Sequence, residues 1–241
     1  ALKDEFVGTV SHELRTPLSI VKEGIDLLLD EIPGRIDEKQ RQVLDTSRRN
    51  IERLGRIIND LLDISKIEAG KMAIHRQTVD LASLIAQSMA PLRRRAEAKG
   101  LSLEVTLPEA LPRVYVDEGR IVQVFTNLIH NAVTFTKTGF IRVEACAVDG
   151  FVECSVEDSG PGIAAEDLPR LFGKFVQLER TNGAGGRGTG LGLSIVKSII
   201  ELHRGTIQCE STIGVGTRFR LTLPVYCEAE VLRETIERAI Q

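Results

Sequence analysis

The apolar pattern of residues 1–68 limits most strongly how this chain can fold. Apolar side chains recur at spacings of three and four along two long stretches, a period that places them on one side of an α-helix. The turn-forming sequence PGRID at 33–37 separates the stretches, and Asp37 is suited to cap the second helix. Gly70 is suited to end that helix. The apolar positions are Phe6, Val10, Leu14, Leu18, Val21, Ile25, Leu28 and Ile32, then Val43, Ile51, Leu54, Ile58 and Leu61.

Two amphipathic helices joined by a short turn are expected to form an antiparallel α-helical hairpin. A single hairpin leaves apolar surface in water, and two hairpins paired in a four-helix bundle would bury that surface. We therefore predict a homodimer formed through residues 1–68, within a helical domain of residues 1–69.

The pattern changes after Gly70. Short strand-like runs alternate with helical patterns near 80–99, 118–134 and 191–203. The pair Asp149-Gly150 between two such runs is a strong hairpin signal. This mixture predicts an α+β sandwich, mainly antiparallel, over residues 70–225. The strand-like runs are MAIH, LSLEVTL, RVYVD, FIRVEACAV, FVECSVED, GTIQCES and GTRFRLTLP.

Residues 226–241 form a C-terminal extension beyond the last strand-like run. Val231, Leu232, Ile236 and Ile240 give it a rough amphipathic helical spacing. Docking on the core, a lead into a further domain and a loosely ordered tail are all compatible with this pattern.

Composition argues against several classes of function. A formal net charge of −3, no tryptophan and 4% aromatic residues disfavour nucleic-acid binding. No apolar run approaches the roughly 18 residues that a membrane span needs, so we expect no membrane contact within this sequence. The four cysteines include no CxxC pair, which predicts buried thiols in a reducing compartment rather than metal ligands.

Three clusters in the second region carry candidate chemistry. Asn127 and Asn131 are four residues apart on one face of a predicted helix, and carboxamide oxygens suit Mg²⁺ bound with phosphates. Asp158 begins DSGPGI, whose glycines let a ligand approach the backbone. The run GGRGTGLGLSIV at 185–196 leads a glycine-rich loop into a helix N-terminus, which favours anions. Taken singly, each cluster has an ordinary alternative: helix-surface asparagines, a turn, and a flexible surface loop.

In this order, the boxes NLIHNA, DSGPGI, LFGKF and GTGLGLSI resemble those of the ATP-binding domain shared by sensor histidine kinases, gyrase, Hsp90 and MutL. The resemblance covers residues 127–223 and implies the Bergerat-type fold, with ATP and Mg²⁺ as cofactors. It implies that Asp158 accepts a hydrogen bond from the adenine amine and that Asn131 binds Mg²⁺, with Asn127 beside it. It further implies that Gly160 and Gly162 line the base pocket, and that the phosphates meet Gly188, Thr189, Gly190, Leu191 and Gly192.

Two positions depart from the family pattern. Thr134 stands where relatives often carry a lysine, and Gln177 stands where many carry an arginine. The phosphate-neutralising role is then expected to fall to Lys174, Arg180 or Arg187, and Lys174 is included in the predicted nucleotide site.

VSHELRTPL at 10–18 closely resembles the phosphoacceptor box of sensor histidine kinases. The resemblance implies that His12 attacks the γ-phosphate, that Glu13 accepts its proton, and that Thr16 positions the water that dephosphorylates a regulator. His12 is two residues from both Val10 and Leu14, about 200° around a helix, so we expect it to point away from the apolar stripe.

The whole chain to about residue 224 is thus similar to the catalytic core of a sensor histidine kinase of a two-component system. The resemblance implies autophosphorylation of His12 by ATP, transfer to an aspartate of a response-regulator receiver domain, and phosphatase activity on that regulator. It also implies a location in the bacterial cytoplasm, with or without a membrane anchor upstream. The alternatives are a signalling scaffold that has lost its chemistry, or pseudokinase, and a conformational ATPase of the Hsp90 or MutL type.

Overall fold

The structure, a computed structural model, describes residues 2–178 and 189–227, with the backbone alone at residues 2–12 and 15. The chain divides into two units, Ala1–Met72 and Ala73–Gln241. Most of the C-terminal extension lies outside the described residues, as do Gly188, Arg180 and Arg187.

The first unit is a hairpin of two long helices, as predicted. Helix α1 spans Leu2–Leu29 and helix α2 spans Glu38–Glu68. Asp37 caps α2: its carboxylate accepts the Gln40 N–H at 2.8 Å, while the Asp37 N–H donates to the Gln40 side chain at 2.8 Å. This reciprocal capping box satisfies two backbone donors.

Gly70 ends α2 in the way the sequence predicted. It adopts φ +64°, which glycine takes without steric cost. The Lys71 N–H donates to the Lys66 carbonyl at 2.8 Å and the Gly70 N–H donates to the Ile67 carbonyl at 3.0 Å. These two bonds form a Schellman motif, which satisfies carbonyls that the helix end leaves free.

The hairpin buries a narrow seam and leaves a second apolar face exposed. Ile58 and Leu62 are buried with Ile25 and Leu29, whereas Leu54 is 45% exposed. The sequence spacing predicted Ile58 and Leu54 on one apolar face, but Ile58 is buried in the hairpin and Leu54 is exposed. Besides Ile20, Leu27 and Ile32, the exposed set is Leu14, Val21, Leu28, Val43, Leu54 and Leu61. Its members recur at spacings of seven or eleven residues along each helix, so each helix keeps one continuous exposed apolar stripe.

Among the described residues, the second unit has seven strands, three helices and one 3₁₀ turn. The strands are β1 (Gln77–Val79), β2 (Ser102–Thr106), β3 (Val114–Val116), β4 (Phe140–Val148), β5 (Phe151–Asp158), β6 (Ile207–Thr212) and β7 (Gly216–Pro224). The helices are α3 (Leu81–Ala98), α4 (Glu118–Phe135) and α5 (Gly192–Leu202), and the 3₁₀ turn is Leu168–Arg170.

These elements form the predicted α+β sandwich. The main sheet has the order β2-β4-β5-β7-β6, in which β2 pairs with β4 in parallel and the other pairs are antiparallel. Strands β1 and β3 form a separate antiparallel pair. Alternate residues of β4, β5 and β7 are buried against the helices, which is the pattern of a sheet with one covered face. The core includes Phe125, Leu128, Ile129, Ile141, Val143, Val156, Ile195, Ile199 and Leu221.

The other face of the sheet carries a row of alternating charges. Strand pairing aligns Glu104, Arg142, Glu157, Arg218 and Glu210 across all five strands. An Arg142 guanidinium nitrogen lies 2.8 Å from the Glu104 carboxylate, and one of Arg218 lies 3.4 Å from that of Glu157. This row keeps that face hydrophilic, so the apolar core belongs to the helix side of the sheet.

His203 ties the start of α4 to the end of α5. Its Nε2 accepts the Asp117 N–H at 2.9 Å, so its Nδ1 carries the hydrogen that is donated to the Ile199 carbonyl at 2.7 Å. Burial lowers the pKa of His203, which favours this neutral form.

Three local predictions have different outcomes. The hairpin at Asp149-Gly150 is confirmed, with φ +25° and +80° at the two turn residues. The strand predicted at MAIH is wrong: the His75 N–H donates to the Asp117 side chain instead of a neighbouring strand, and β1 starts two residues later. Burial of all the thiols is also wrong, because Cys146 and Cys227 are exposed. Cys146 lies on the side of β4 opposite the buried residues Ile141, Val143 and Ala145.

Within the described ranges, none of the helices has the length and apolar character to cross a bilayer.

Candidate functional site

Asp158 is the last residue of β5 and is held in the sheet between Ile141 of β4 and Thr217 of β7. Its side chain is buried, with 8% of the residue exposed. The carboxylate accepts the Gly160 N–H at 2.8 Å and the Thr136 hydroxyl at 3.5 Å, and also a bond from the Thr217 backbone. Burial outweighs these bonds and raises the pKa of Asp158 to about 6. At neutral pH the site therefore holds a buried carboxylate with capacity for a further donor.

Glycines allow the backbone to close around this carboxylate. A Cβ at Gly160 would lie 2.6 Å from Asp158 Oδ1, and one at Gly216 would lie 2.0 Å from the Asp158 carbonyl oxygen. Gly162 has φ +71°, and its Cβ would lie 2.1 Å from the Thr212 carbonyl oxygen. Gly160 thus leaves the carboxylate accessible, while Gly162 lets the DSGPGI loop pack against the β6–β7 turn.

Sequence reasoning missed Thr136, Ser211 and Thr217. The Ser211 hydroxyl accepts the Ile163 N–H at 2.8 Å, donates to the Gly216 carbonyl at 2.7 Å and lies 3.0 Å from the Thr217 hydroxyl. One hydroxyl therefore links the DSGPGI loop to the strand that flanks Asp158. The run GVGT at 214–217, a glycine turn followed by a polar residue, was the available signal.

Asn127 and Asn131 lie on α4, which begins at the N-cap Asp117. Both residues are half-buried. The Asn127 Oδ1 lies 3.6 Å from where a Cβ at Gly192 would stand, so the asparagine helix meets the first residue of α5. Two of the boxes predicted from the sequence are thus in contact.

The glycine-rich loop is described from residue 189, and Gly188 lies outside the described residues. Gly190 has φ +72°, and its Cβ would lie 2.7 Å from the Phe175 carbonyl carbon. The Thr189 hydroxyl accepts the Leu191 N–H at 3.1 Å, and Leu191 is buried at the N-cap of α5. Because α5 begins at Gly192, its first free N–H groups and its positive dipole end face this loop.

The LFGKF segment packs beside this helix. Phe172 makes an edge contact with Phe219, with ring centroids 6.3 Å apart, and the Lys197 ammonium lies 5.9 Å from the Phe172 ring centroid. Lys174 is exposed at this segment. Phe175 is 65% exposed and has φ +60°, a strained conformation for a bulky residue.

The phosphoacceptor box lies within α1. His12, Glu13 and Thr16 belong to this helix, and Glu13 and Thr16 are exposed. The side chain of His12 is outside the described residues, so its outward orientation stays a prediction. Pro17 has no N–H, which leaves the Glu13 carbonyl without its usual helical donor.

The possible metal ligands near α4 suit Mg²⁺ better than a metal ion that is coordinated only by protein side chains. In the described part of the chain, no three His, Cys, Asp or Glu side chains are grouped so that they could hold a metal ion. Carboxamide oxygens such as those of Asn127 and Asn131 are hard ligands, and Mg²⁺ is usually held by few protein groups together with substrate phosphates.

Each of the two units of the chain matches a known family model. Residues 2–70 match the family model described as "His Kinase A (phospho-acceptor) domain", and residues 116–226 match "Histidine kinase-, DNA gyrase B-, and HSP90-like ATPase". The full-length ShkA structure in complex with AMPPNP is similar to 92% of this chain, with a TM-score of 0.76 and 30% identity. The chain belongs to the sensor histidine kinases.

Its relatives among curated histidine kinases and sensor proteins are longer. The chain is 37% identical over 241 residues to the non-motile and phage-resistance protein of Caulobacter vibrioides, covering 97% of this chain and 28% of that protein. It is 39% identical over 236 residues to the drug sensory protein A of Synechocystis, covering 93% and 35%. It also resembles the Acinetobacter baumannii histidine kinase AdeS, with a TM-score of 0.63, 27% identity and coverage of 90% and 98%. The chain therefore carries the domain combination of a protein-histidine kinase and spans well under half the length of the curated relatives it matches.

Proposed function

We propose that this chain autophosphorylates His12 from Mg²⁺-ATP and passes the phosphoryl group to an aspartate of a response-regulator receiver domain. The observation that carries the proposal is the buried carboxylate of Asp158, held beside glycine turns in a chain whose first unit matches the phospho-acceptor domain. A conformational ATPase has no use for a His-Glu pair on a helical hairpin.

Adenine recognition is the role of Asp158. Its carboxylate accepts three hydrogen bonds from the protein and retains lone pairs for the exocyclic amine of the base. Guanine carries a carbonyl at that position, which would face the carboxylate with no hydrogen between the two oxygens. Gly160 leaves room for the base beside this carboxylate, and Gly162, packed against Thr212, shapes the loop that lines the base pocket.

Phosphate binding falls to the start of α5. Gly188, Thr189, Gly190, Leu191 and Gly192 supply backbone N–H groups at the positive end of the helix dipole. Asn131 would hold Mg²⁺, with Asn127 beside it, and Lys174 would add positive charge. When bound, the magnesium ion neutralises charge on the phosphates.

The transfer step requires only groups of this chain and of the nucleotide. One imidazole nitrogen of His12 forms a bond to the γ-phosphorus, and the bond from that phosphorus to the bridging oxygen of ADP breaks. The proton on the other imidazole nitrogen goes to Glu13, which offsets the positive charge that develops. The ordinary pKa of histidine, about 6.5, leaves the free imidazole largely neutral at pH 7.

Two further roles belong to the first unit. Thr16 is one helical turn after His12, where its hydroxyl positions water to dephosphorylate the regulator. The exposed apolar stripes of α1 and α2 pack against a second copy of the chain, which forms a four-helix bundle and removes them from water.

One assay separates this proposal from its alternatives. The chain is incubated with Mg²⁺ and ATP labelled at the γ-phosphate, and both released phosphate and protein-bound label are measured. Acid-labile, alkali-stable label that disappears in His12→Gln supports the kinase. Phosphate release without bound label would indicate a conformational ATPase, and neither product would indicate a pseudokinase scaffold.

A further inference from the structure

Lys99 joins the end of α3 to the end of α4. Its ammonium donates to three carbonyl oxygens at the C-terminus of α4: Val133 at 2.6 Å, Thr134 at 3.0 Å and Thr136 at 3.2 Å. These carbonyls belong to the last turn and cap of the helix, where no intrahelical donor is left, and a cation there also interacts favourably with the helix dipole. One side chain thus satisfies three carbonyls at the end of α4.

The backbone that carries Lys99 is itself fixed. Lys99 is the C-cap of α3, and the following Gly100 has φ +69°. The Leu101 N–H donates to the Ala96 carbonyl at 3.0 Å, and the Gly100 N–H donates to the Glu97 carbonyl at 2.9 Å. This Schellman motif, with Leu101 buried, fixes the backbone position from which the Lys99 side chain extends.

The turn that Lys99 holds leads directly to the candidate adenine site. Thr136 is fully buried, and its hydroxyl donates to Asp158 Oδ1 at 3.5 Å. The same hydroxyl lies 3.1 Å from where a Cβ at Gly160 would stand. Because the Thr136 carbonyl is bound by Lys99 and its hydroxyl faces Asp158, a shift of the α4 end would displace a donor of the carboxylate.

We propose that Lys99 is a positioning residue for adenine recognition: it holds the Thr136 turn so that the Asp158 carboxylate is presented to the base. The inference rests on the proposed function, since it assigns a supporting residue to the same nucleotide site. Lys99 touches no nucleotide and acts through α4.

The chain offers a matched control. Arg76 donates to the Leu202 carbonyl at 2.5 Å, so it too is a cation that binds the C-terminal end of a helix, here α5. The end of α5 is followed by His203, and in the part of the chain that the structure describes neither Leu202 nor His203 forms a hydrogen bond with Asp158 or Thr136. Arg76→Met and Lys99→Met therefore remove the same kind of interaction, and Lys99→Met alone disturbs the turn beside Asp158.

The test measures dissociation constants of the full chain for Mg²⁺-ATP and Mg²⁺-GTP by calorimetry, with thermal unfolding measured in parallel. Lys99→Met is expected to weaken ATP binding about 2- to 30-fold, the range for residues that act without touching the ligand. GTP binding should change little, so the ATP-to-GTP preference falls. Arg76→Met should keep the preference of the wild type. Lys99→Arg, which keeps the charge and several donors, should restore most of the preference.

An unchanged ATP-to-GTP preference in Lys99→Met would overturn the inference, even if the variant unfolds at lower temperature. If Lys99→Met does not fold, Lys99→Gln, which retains two donors without the charge, decides by the same comparison. A wild-type chain that binds ATP no better than GTP would instead overturn adenine recognition by Asp158, and with it the proposed function of this site.

Discussion

The raised pKa of Asp158 predicts that nucleotide affinity falls in mild acid. The ionised carboxylate is a much stronger acceptor for the adenine amine than the protonated carboxyl, and in the free protein half of the Asp158 side chains are protonated at pH about 6. Between about pH 7 and about pH 5 the ionised fraction falls by about 10-fold, which corresponds to about 1.4 kcal/mol of binding free energy.

The assay is calorimetric titration of the chain with Mg²⁺-AMPPNP at several pH values. Phosphate groups also titrate near pH 6 and weaken binding by themselves. Asp158→Asn controls for this, because it keeps an acceptor for the amine and shares the phosphate chemistry without a titrating carboxyl. The wild type should lose about 10-fold more affinity than Asp158→Asn over the same interval. Equal losses in the two proteins would refute the assignment.

The raised pKa of Asp158 affects stability in the opposite direction: mild acid should stabilise the nucleotide-free chain while it weakens nucleotide binding. A carboxyl whose pKa is raised on folding contributes stability that is fully present below its unfolded value of 3.8 and is lost as pH rises through about 6. The full shift corresponds to about 3 kcal/mol, since one pKa unit equals about 1.4 kcal/mol. Asp158→Asn should therefore stabilise the nucleotide-free chain at neutral pH while weakening its binding of ATP. A destabilised variant at neutral pH would contradict this reasoning.

Four further predictions concern other parts of the chain. Thr16→Ala should lower phosphatase activity toward the phosphorylated regulator while sparing autophosphorylation, and equal loss of both would contradict its role. Leu54→Glu places a charge on the exposed stripe and should convert a dimer to a monomer in light scattering, whereas Val215→Glu, at another exposed apolar residue, should leave the dimer intact. Asp37→Ala removes the capping box and should lower the free energy of unfolding by about 1 kcal/mol, measured by circular dichroism. His203 has a lowered pKa, so the stability it contributes is present above its ordinary value of 6.5 and is lost as pH falls; His203→Gln should lack that loss in thermal unfolding.

Local patterns in the sequence predicted the elements of this fold well. Helix boundaries at Asp37 and Gly70 follow from short-range capping chemistry, and the structure contains both caps. The hairpin at Asp149-Gly150 depends on two adjacent residues that accept positive φ. Such features involve residues within one or two turns of each other, so single-sequence reasoning reaches them.

Contacts between distant segments were the part that the sequence did not reveal. Thr217 reaches Asp158 only because β7 pairs with β5 in one register, and Lys99 meets Thr136 only because α3 and α4 pack side by side. MAIH has the composition of a strand, but its His75 N–H donates to the Asp117 side chain and not to a neighbouring strand. In each case tertiary structure decides the partner, and periodicity carries no information about it.

The resemblance to a family supplied the functional residues that physics alone could not rank. Asn127 and Asn131 are ordinary helix residues when taken singly, and their contact with Gly192 becomes visible only in the structure. The same holds for DSGPGI, where a turn and a base pocket have the same local sequence. The order of the boxes along the chain was therefore more informative than any box alone.

The most direct measurement is the location of the phosphoryl group after reaction with Mg²⁺-ATP. The chain is incubated with the nucleotide, digested at neutral to alkaline pH to preserve a phosphoramidate, and sequenced by tandem mass spectrometry with a gentle fragmentation method. We predict a phosphoryl group on His12 that is absent from the reactions of His12→Gln and of a nucleotide-site variant, Asn131→Ala. A chain that binds ATP and yet carries no phosphoryl group, or carries it on another residue, would contradict the proposed kinase.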